Sequence, residues 1–411
     1  MPLGAVTEKL YYADPGKLEF DAAVVHTASL PGGGCEVVLD RTCFYPGGGG
    51  QPADHGTLGG APVVEVREND AGDVVHVLGR PIPEGRVTGA VDAARRRDFM
   101  AQHTGEHILA QALLRAGGLH TVSVHFGDDD TTIEVKADSI DDAVLAGAER
   151  IANGVIRENR RVVIHEIDRA EASRFDLRRA PPAEEQHLRI VEVEGFDLVG
   201  CSGVHVRSTG EVFLIKVVSQ EKIRGRVRLH VRIGERAFED YGRKVALSQA
   251  LSRMLTCGED TIVARVEDLQ AAQLEAAREM RRVTAERAAV EADAAVAGGR
   301  RAGPSVVIRR LFDKAGPDYL KAFVERVTAQ PGRACIALDL GVDSFQWIIA
   351  HSVQGGPELS GIVSPRMADA GAKGGGRGQR MQGVGTRRDG AEPFALGVEQ
   401  DLVRVLGTEA S

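Results

Sequence analysis

Aromatic residues are scarce in this chain, 4% of 411 positions, so its 43% hydrophobic content is mostly aliphatic. No apolar run approaches the roughly eighteen residues that a membrane-spanning helix needs. The opening, MPLGAVTEKLYYADPGKL, lacks a basic stretch followed by an apolar one, and it lacks an Arg-rich, acid-poor transit character. The expectation is a cytoplasmic protein with no membrane partner. Cysteines are few: Cys35, Cys43, Cys201, Cys257 and Cys335 are odd in number and widely scattered. That excludes a disulfide framework and leaves each thiol for packing or metal chemistry. Positive charge is not in excess either, and a net charge of −8 argues against unspecific adsorption to nucleic acid. A P-loop lysine pattern is absent, and Asp54-His55-Gly56 is not the Asp-His-His set of a phosphoesterase.

Local basic clusters are nevertheless present. Arg95-Arg96-Arg97, the series Arg157, Arg160 and Arg161, and KIRGRVRLHVRIG (222–234) concentrate positive charge. In the last, Val227, Leu229, Val231 and Ile233 alternate with Arg226, Arg228, His230 and Arg232. A strand there would bury one side and present either a nucleic-acid-binding row or an ordinary solvated face.

The fold class that follows is α+β. Residues 1–92 contain short alternating runs (35–39, 63–66, 74–78) between glycine-rich turns, which predicts a small β-barrel-like domain. Residues 93–235 read as an α+β domain, with helical spacing from Arg95 to Leu114, a strand over 131–135, a helix over 140–159 and a strand over 162–167. Residues 236–303 are rich in Ala, Glu, Arg and Leu, and Ile262, Val266, Leu269, Ala276, Met280 and Val283 recur at heptad-like steps. They predict a helical hairpin or short coiled-coil connector, with a homodimer through it as one consequence. Residues 304–411 alternate strands (306–308, 334–338, 346–350) with helices (318–328, 394–405) and carry a glycine-rich tract, GAKGGGRGQRMQGVG (371–385). They predict a C-terminal α/β domain.

Chemistry is concentrated in four stretches. In QHTGEHILA, His103 and His107 lie four apart, so on a helix both imidazoles share one face and can grip one ion. A buried structural histidine pair is the plain alternative: with 12 histidines in 411 positions such a pair is expected about 0.35 times by chance. A second pair at the same spacing, Cys201 and His205 in GCSGVHV, completes a set of three imidazoles and a thiolate. By its place in the helix, Glu106 is expected to point away from the shared ligand face and receives no role. In FYPGGGGQPADHG, glycines 47–50 permit positive φ and close backbone approach to a ligand, and Gln51 can both donate and accept; a flexible surface turn is the alternative.

TCFYPGGGGQPADHG, HTGEH, CSGVH and GAKGGGRGQRMQGVG, in this order, resemble the stand-alone alanyl-tRNA editing proteins of the AlaX family, in the long form whose C-terminal domain is like that of alanyl-tRNA synthetase. The resemblance implies an N-terminal barrel, an editing domain, a helical connector and a tRNA-contacting terminal domain. It implies one Zn2+ per chain on His103, His107, Cys201 and His205. Thr42 and Gln51 would act at the amino-acid pocket beside Gly48, Gly49 and Gly50, and Lys373, Gly374, Gly375, Gly376 and Arg377 would contact tRNA. Ser202 and Val204 depart from the Gly and Thr common in the family, and Gly47 stands where an acidic residue is frequent.

The activity so implied is hydrolysis of the aminoacyl ester of Ser-tRNA(Ala), and of Gly-tRNA(Ala), by a zinc-dependent deacylase working without ATP. A synthetase that activates alanine cannot strongly reject serine or glycine, so a second site must discriminate. Two other readings compete. HTGEH fits the H-x-x-E-H pattern of zinc metallopeptidases, with Glu106 as general base and a downstream glutamate as third ligand. A non-catalytic tRNA-binding accessory protein would keep zinc only as a staple.

Overall fold

Alternation along the first strands closes a barrel. The computed structural model describes residues 7–179 and 186–408, and the chain divides into two compact units, Met1–Leu251 and Ser252–Ser411. In the first unit β1 (Glu19–Ser29), β2 (Cys35–Leu39), β3 (Gly56–Leu58), β4 (Ala61–Glu68), β5 (Val74–Leu78) and β6 (Arg86–Val91) form a closed barrel in the order β1-β2-β5-β4-β3-β6. Phe20, Val37, Leu39, Phe44, Leu58, Val63, Val66, Val74, Leu78 and Val87 fill it. Closure leaves no unpaired sheet edge.

Helix α1 (Ala93–Gly117) follows at once. Asp92 caps it, accepting from the amides of Ala94 and Arg95, and Gly118 ends it in the left-handed region at φ 65°. Both faces of its middle are buried, because the helix is enclosed between the barrel's glycine loop and a four-stranded antiparallel sheet. That sheet orders β7 (Thr121–Phe126), β8 (Thr131–Val135), β12 (Ile215–Ile223) and β13 (Arg226–Ile233) as β12-β13-β8-β7. Gly105 lets α1 lie close on it, since a Cβ there would come within 2.6 Å of Ile233 Cγ2. Helix α2 (Asp142–Arg157) packs on α1, and β9 (Val162–Asp168), β10 (His187–Val193) and β11 (Asp197–Gly200) form an antiparallel sheet in that order.

The basic row of β13 is largely neutralised. Arg226 and Arg228 pair with Glu134 at 3.2 and 2.7 Å, Arg228 also with Glu221 at 3.1 Å, and His230 Nδ1 lies 2.8 Å from Asp130. Of the two readings of that strand, the solvated, ion-paired face describes it. Arg96 likewise leaves the surface cluster to which its neighbours assign it: it is fully buried.

Helix α3 (Glu235–Leu255) precedes α4 (Ile262–Ala297), with a break at Cys257 and Gly258. Val266, Leu269, Met280 and Val283 of the heptad-like series are exposed, and α4 is buried at Ala288, Ala292 and Ala295. These alanines pack against Tyr319, Leu320 and Phe323. In the second unit β14 (Arg300–Ala302), β15 (Ser305–Asp313), β16 (Arg333–Leu340), β17 (Phe345–His351), β18 (Ala372–Arg377) and β19 (Arg380–Gly385) order as β14-β15-β16-β17-β19-β18. Helix α5 (Pro317–Thr328) makes the crossover between the parallel strands β15 and β16, while α6 (Leu359–Met367) and α7 (Ala391–Thr408) cover the core around Trp347. The whole is α+β.

The glycine-rich tract is a hairpin, β18 and β19, turning at Gly378 with φ 64°. Gly374, Gly376 and Gly383 answer to packing, whereas Gly375 has open space around it. A Cβ on Gly374 or Gly383 would meet Trp347 Cζ2 at 2.5 or 2.7 Å, and one on Gly376 would meet the Arg380 carbonyl at 2.1 Å. Lys373 and Arg377 are exposed on this edge strand. No helix among the described residues is long and apolar enough to cross a membrane.

Candidate metal centre

Helical spacing stacks His103 and His107 one turn apart on α1, and both are buried, at 3% and 4% exposure. The loop after β11 brings Cys201 and His205 to them. One donor atom from each of the four side chains lies within 4.8 Å of the others. Cys201 Sγ is 3.2 Å from His103 Nε2 and 3.3 Å from His205 Nε2, near the roughly 3.5 Å edge of a tetrahedron with Zn–S about 2.3 Å and Zn–N about 2.0 Å. Two distant segments, joined by nearly a hundred intervening residues, thus meet at one point.

The set fits a borderline-soft divalent cation such as zinc. Burial drives the His103 pKa down to about 3, with the Arg189 charge adding to the effect, and burial puts His107 and His205 well below the usual imidazole range. All three rings are therefore neutral and able to donate lone pairs. Burial also pushes the Cys201 thiol up to about 11, so its thiolate requires a cation beside it. His107 Nδ1 is buried without a hydrogen-bond partner among the described residues.

Outer contacts fix the rings. His103 Nδ1 lies 2.8 Å from Gln51 Oε1 and donates to it, which aims Nε2 at Cys201. His205 Nδ1 lies 3.1 Å from Thr104 Oγ1, and that hydroxyl also accepts from the Val206 amide at 3.2 Å. The CSG turn is held by Arg189, whose Nη1 donates to the Cys201 and Gly203 carbonyls at 2.7 and 2.8 Å. Gly203 has no room for a side chain, since its Cβ would sit 2.1 Å from His103 Cε1.

The glycine loop reaches the same place. Gly47, Gly48, Gly49 and Gly50 all have positive φ, and the Gly48 and Gln51 amides exchange hydrogen bonds with each other's carbonyls at 3.0 Å. The tight loop turns Gln51 inward, to 3% exposure, with Nε2 unpartnered among the described residues. Its position is set by a buried ion pair. Arg96 at the start of α1 holds Asp54 through Nε at 3.1 Å and through Nη2, and donates to the Cys43 and Pro15 carbonyls at 2.5 and 2.8 Å. Asp54 in turn accepts from the Tyr45 amide at 2.6 Å. Loop and histidine helix are therefore tied together at both ends of a short lever.

Thr42 does not join the cluster. Its hydroxyl lies 2.8 Å from His76 Nε2 and accepts from the Phe44 amide at 3.1 Å, while His76 Nδ1 lies 3.2 Å from the Val37 carbonyl. It is part of the barrel's internal bonding. The exposed Lys373 and Arg377, with Gly374, Gly375 and Gly376 between them, belong to the second unit and stand on its edge strand.

A cavity of about 940 Å3 opens beside the cluster, lined by His103, His107, Cys201, Gly49 and three arginines, Arg178, Arg179 and Arg189. Glu106 also lines it, which corrects the expectation that this side chain points away. Its Oε2 lies 3.9 Å from His107 Nε2, and burial raises its pKa to about 7. The reason is geometric: Glu106 is three residues from His103, a relation that keeps both on adjoining strips of the helix. Among the described residues the donors that complete the set are Cys201 and His205, and no downstream glutamate of the kind the peptidase pattern requires joins them.

Residues 188–229 match the family described as threonyl and alanyl tRNA synthetase second additional domain. The chain is 31% identical over 412 residues to the alanine–tRNA ligase of Methanopyrus kandleri, a match covering 96% of this chain and 45% of that one. It is 34% identical over 279 residues to the enzyme of Ignicoccus hospitalis (64% and 30% covered) and 38% identical over 250 residues to that of Halobacterium salinarum (57% and 27%). The C-Ala domain of Aquifex aeolicus alanyl-tRNA synthetase aligns over 26% of this chain and 97% of its own, at 17% identity and a TM-score of 0.24, an overlap too shallow to inform the fold. The chain spans less than half the length of these curated relatives. It is a protein related to alanyl-tRNA synthetase, carrying sequence of the second additional domain.

Proposed function

We propose that the chain is an aminoacyl-tRNA deacylase that hydrolyses the ester of alanine tRNA mischarged with serine, and of the glycine-charged form. The observation that carries this reading is the convergence of His103, His107, Cys201 and His205 on one point, the first three of them lining a cavity wide enough for a nucleoside ester, with Gln51 bonded to His103. His103, His107, Cys201 and His205 would hold one zinc ion. When bound, that ion supplies polarisation of the ester carbonyl or orientation of the substrate.

The protein's own groups do the rest. Gln51 and Thr104 hold two imidazoles in the tautomer that leaves Nε2 facing Cys201. The unpartnered Nε2 of Gln51 supplies a donor for serine's hydroxyl. Alanine would leave that buried donor unmet, at a cost of about 1–3 kcal/mol, which spares correctly charged tRNA. Arg178, Arg179 and Arg189 on the cavity wall suit the phosphates of an RNA terminus. Lys373 to Arg377 would add a contact to tRNA from the second unit, and the finer division into barrel (1–92), editing domain (93–235), connector (236–303) and terminal domain (304–411) belongs to the same proposal.

The test is release of serine from Ser-tRNA(Ala), with Ala-tRNA(Ala) and a peptide substrate as comparisons. Metal-loaded protein should hydrolyse the first far above background and His103→Ala/His107→Ala should not. Tight tRNA binding with no hydrolysis, or peptide cleavage instead, would defeat the proposal.

A further inference from the structure

The cavity wall has an acid that the reaction above does not use. Among the described residues lining it the carboxylates are Glu68 and Glu106. Glu68 is already bonded to Lys9 Nζ at 2.8 Å. Glu106 is 7% exposed, opens onto the cavity and has no Lys or Arg partner within 4.0 Å among the described residues. Its neighbour is a candidate metal donor, His107, at 3.9 Å.

An aminoacyl ester differs from most esters in one respect: it bears a free α-amino group, which carries a proton around neutrality. That nitrogen is two bonds from the ester carbonyl carbon, about 2.5 Å away. If the carbonyl lies at the four-donor cluster, the ammonium must lie beside it. The other charged groups described on that wall are the Lys9–Glu68 pair, Arg178, which is held by Asp197 at 2.9 Å, and the cations Arg179 and Arg189, which repel an ammonium. A buried carboxylate without a close partner is costly until a cation meets it.

Resting on the deacylase reading, we infer that Glu106 receives the α-ammonium of the aminoacyl group, so that the site selects aminoacyl-tRNA with a free amine over N-acylated or peptidyl-tRNA. Glu106 is then a specificity-determining residue, and the cation-rich wall serves the RNA end of the same substrate. A peptide bond on the nitrogen removes its charge and adds bulk where the carboxylate stands.

The experiment uses the full, zinc-loaded chain with Ser-tRNA(Ala) and the same tRNA chemically N-acetylated on serine, alongside Glu106→Gln with its zinc content measured. Wild type should favour the free amine by at least about tenfold in kcat/KM. Glu106→Gln should lose about tenfold to a hundredfold on Ser-tRNA, chiefly through KM, with hydrolysis of the N-acetyl ester held within about threefold. Equal hydrolysis of both esters by wild type overturns the inference while leaving the deacylase intact. A Glu106→Gln loss of equal size on both esters, carried by kcat, also overturns it. If wild type hydrolyses neither ester, the deacylase reading fails and takes the inference with it. Should Glu106→Gln lose its zinc, the wild-type comparison alone decides.

Discussion

Gly203→Ala puts one methyl group into the tightest point of the cluster. The added Cβ would lie 2.1 Å from His103 Cε1 and 2.3 Å from its Nδ1, whereas ordinary contact begins at 3.4 Å, so something must move by about 1.3 Å. Neither side yields easily. The ring is held through Nδ1 by Gln51 at 2.8 Å, and the turn is held by Arg189 through the Cys201 and Gly203 carbonyls. Zinc–ligand distances in well-formed sites fall within about 0.2 Å of their standard values. The expected result is a fall in zinc affinity of at least about ten- to a hundredfold, with an overpacking cost of about 1–3 kcal/mol to the first unit. Competition against a chromophoric chelator reads the first and a thermal melt with excess chelator reads the second. Gly154→Ala is the control: nothing lies within 4 Å of its Cβ in the last turn of α2, so it should stabilise by about 1 kcal/mol or less and leave zinc alone. Wild-type zinc affinity in Gly203→Ala would refute the steric reasoning and with it the assignment of His103 as a donor.

Two more expectations concern the barrel and its tie to α1. Burial lowers the His76 pKa from 6.5 to about 4, so the unfolded chain binds a proton that the folded one refuses; stability is whole above pH 6.5 and declines as pH falls toward 4, by about 3 kcal/mol in all. Chelator-treated His76→Gln should show a melting temperature that changes less between pH 7 and pH 4.5 than that of the wild type, and parallel pH profiles would contradict the claim. Removing Arg96 by Arg96→Ala strands the buried Asp54 and should cost about 3–5 kcal/mol, read by urea unfolding, whereas a change below about 1 kcal/mol would mean the pair does not tie loop to helix.

Much of this was legible because local periodicity and short-range spacing carry it. The i, i+4 pair in α1 and the C-x3-H pair needed only the assumption that both serve one ion, and three of the six barrel strands, β2, β4 and β5, announced themselves by alternation. Three strands and two helices of the second unit followed from the same signals, whereas the helix over 359–367 and the hairpin over 372–385 did not. What escaped depends on partners far along the chain. Arg96 looks like one of three surface arginines until Asp54, 42 residues earlier, is seen beside it. The basic strand 226–233 loses its free charge to Glu134 and Glu221 on neighbouring strands, which no reading of its own alternation reveals. Glu106 is hidden if positions 103 and 107 are taken as the whole face, because the i+3 position borders it. Gly374 and Gly383 of the 371–385 tract are required by Trp347 in the same sheet, a contact that composition cannot show.

The most direct measurement is the coordination sphere itself, by metal analysis and X-ray absorption on zinc-loaded protein. One ion per chain with one sulfur and three nitrogen scatterers is expected, and the sulfur should vanish in Cys201→Ser. A metal-free protein, or an ion whose scattering is unchanged by that substitution, would contradict the account.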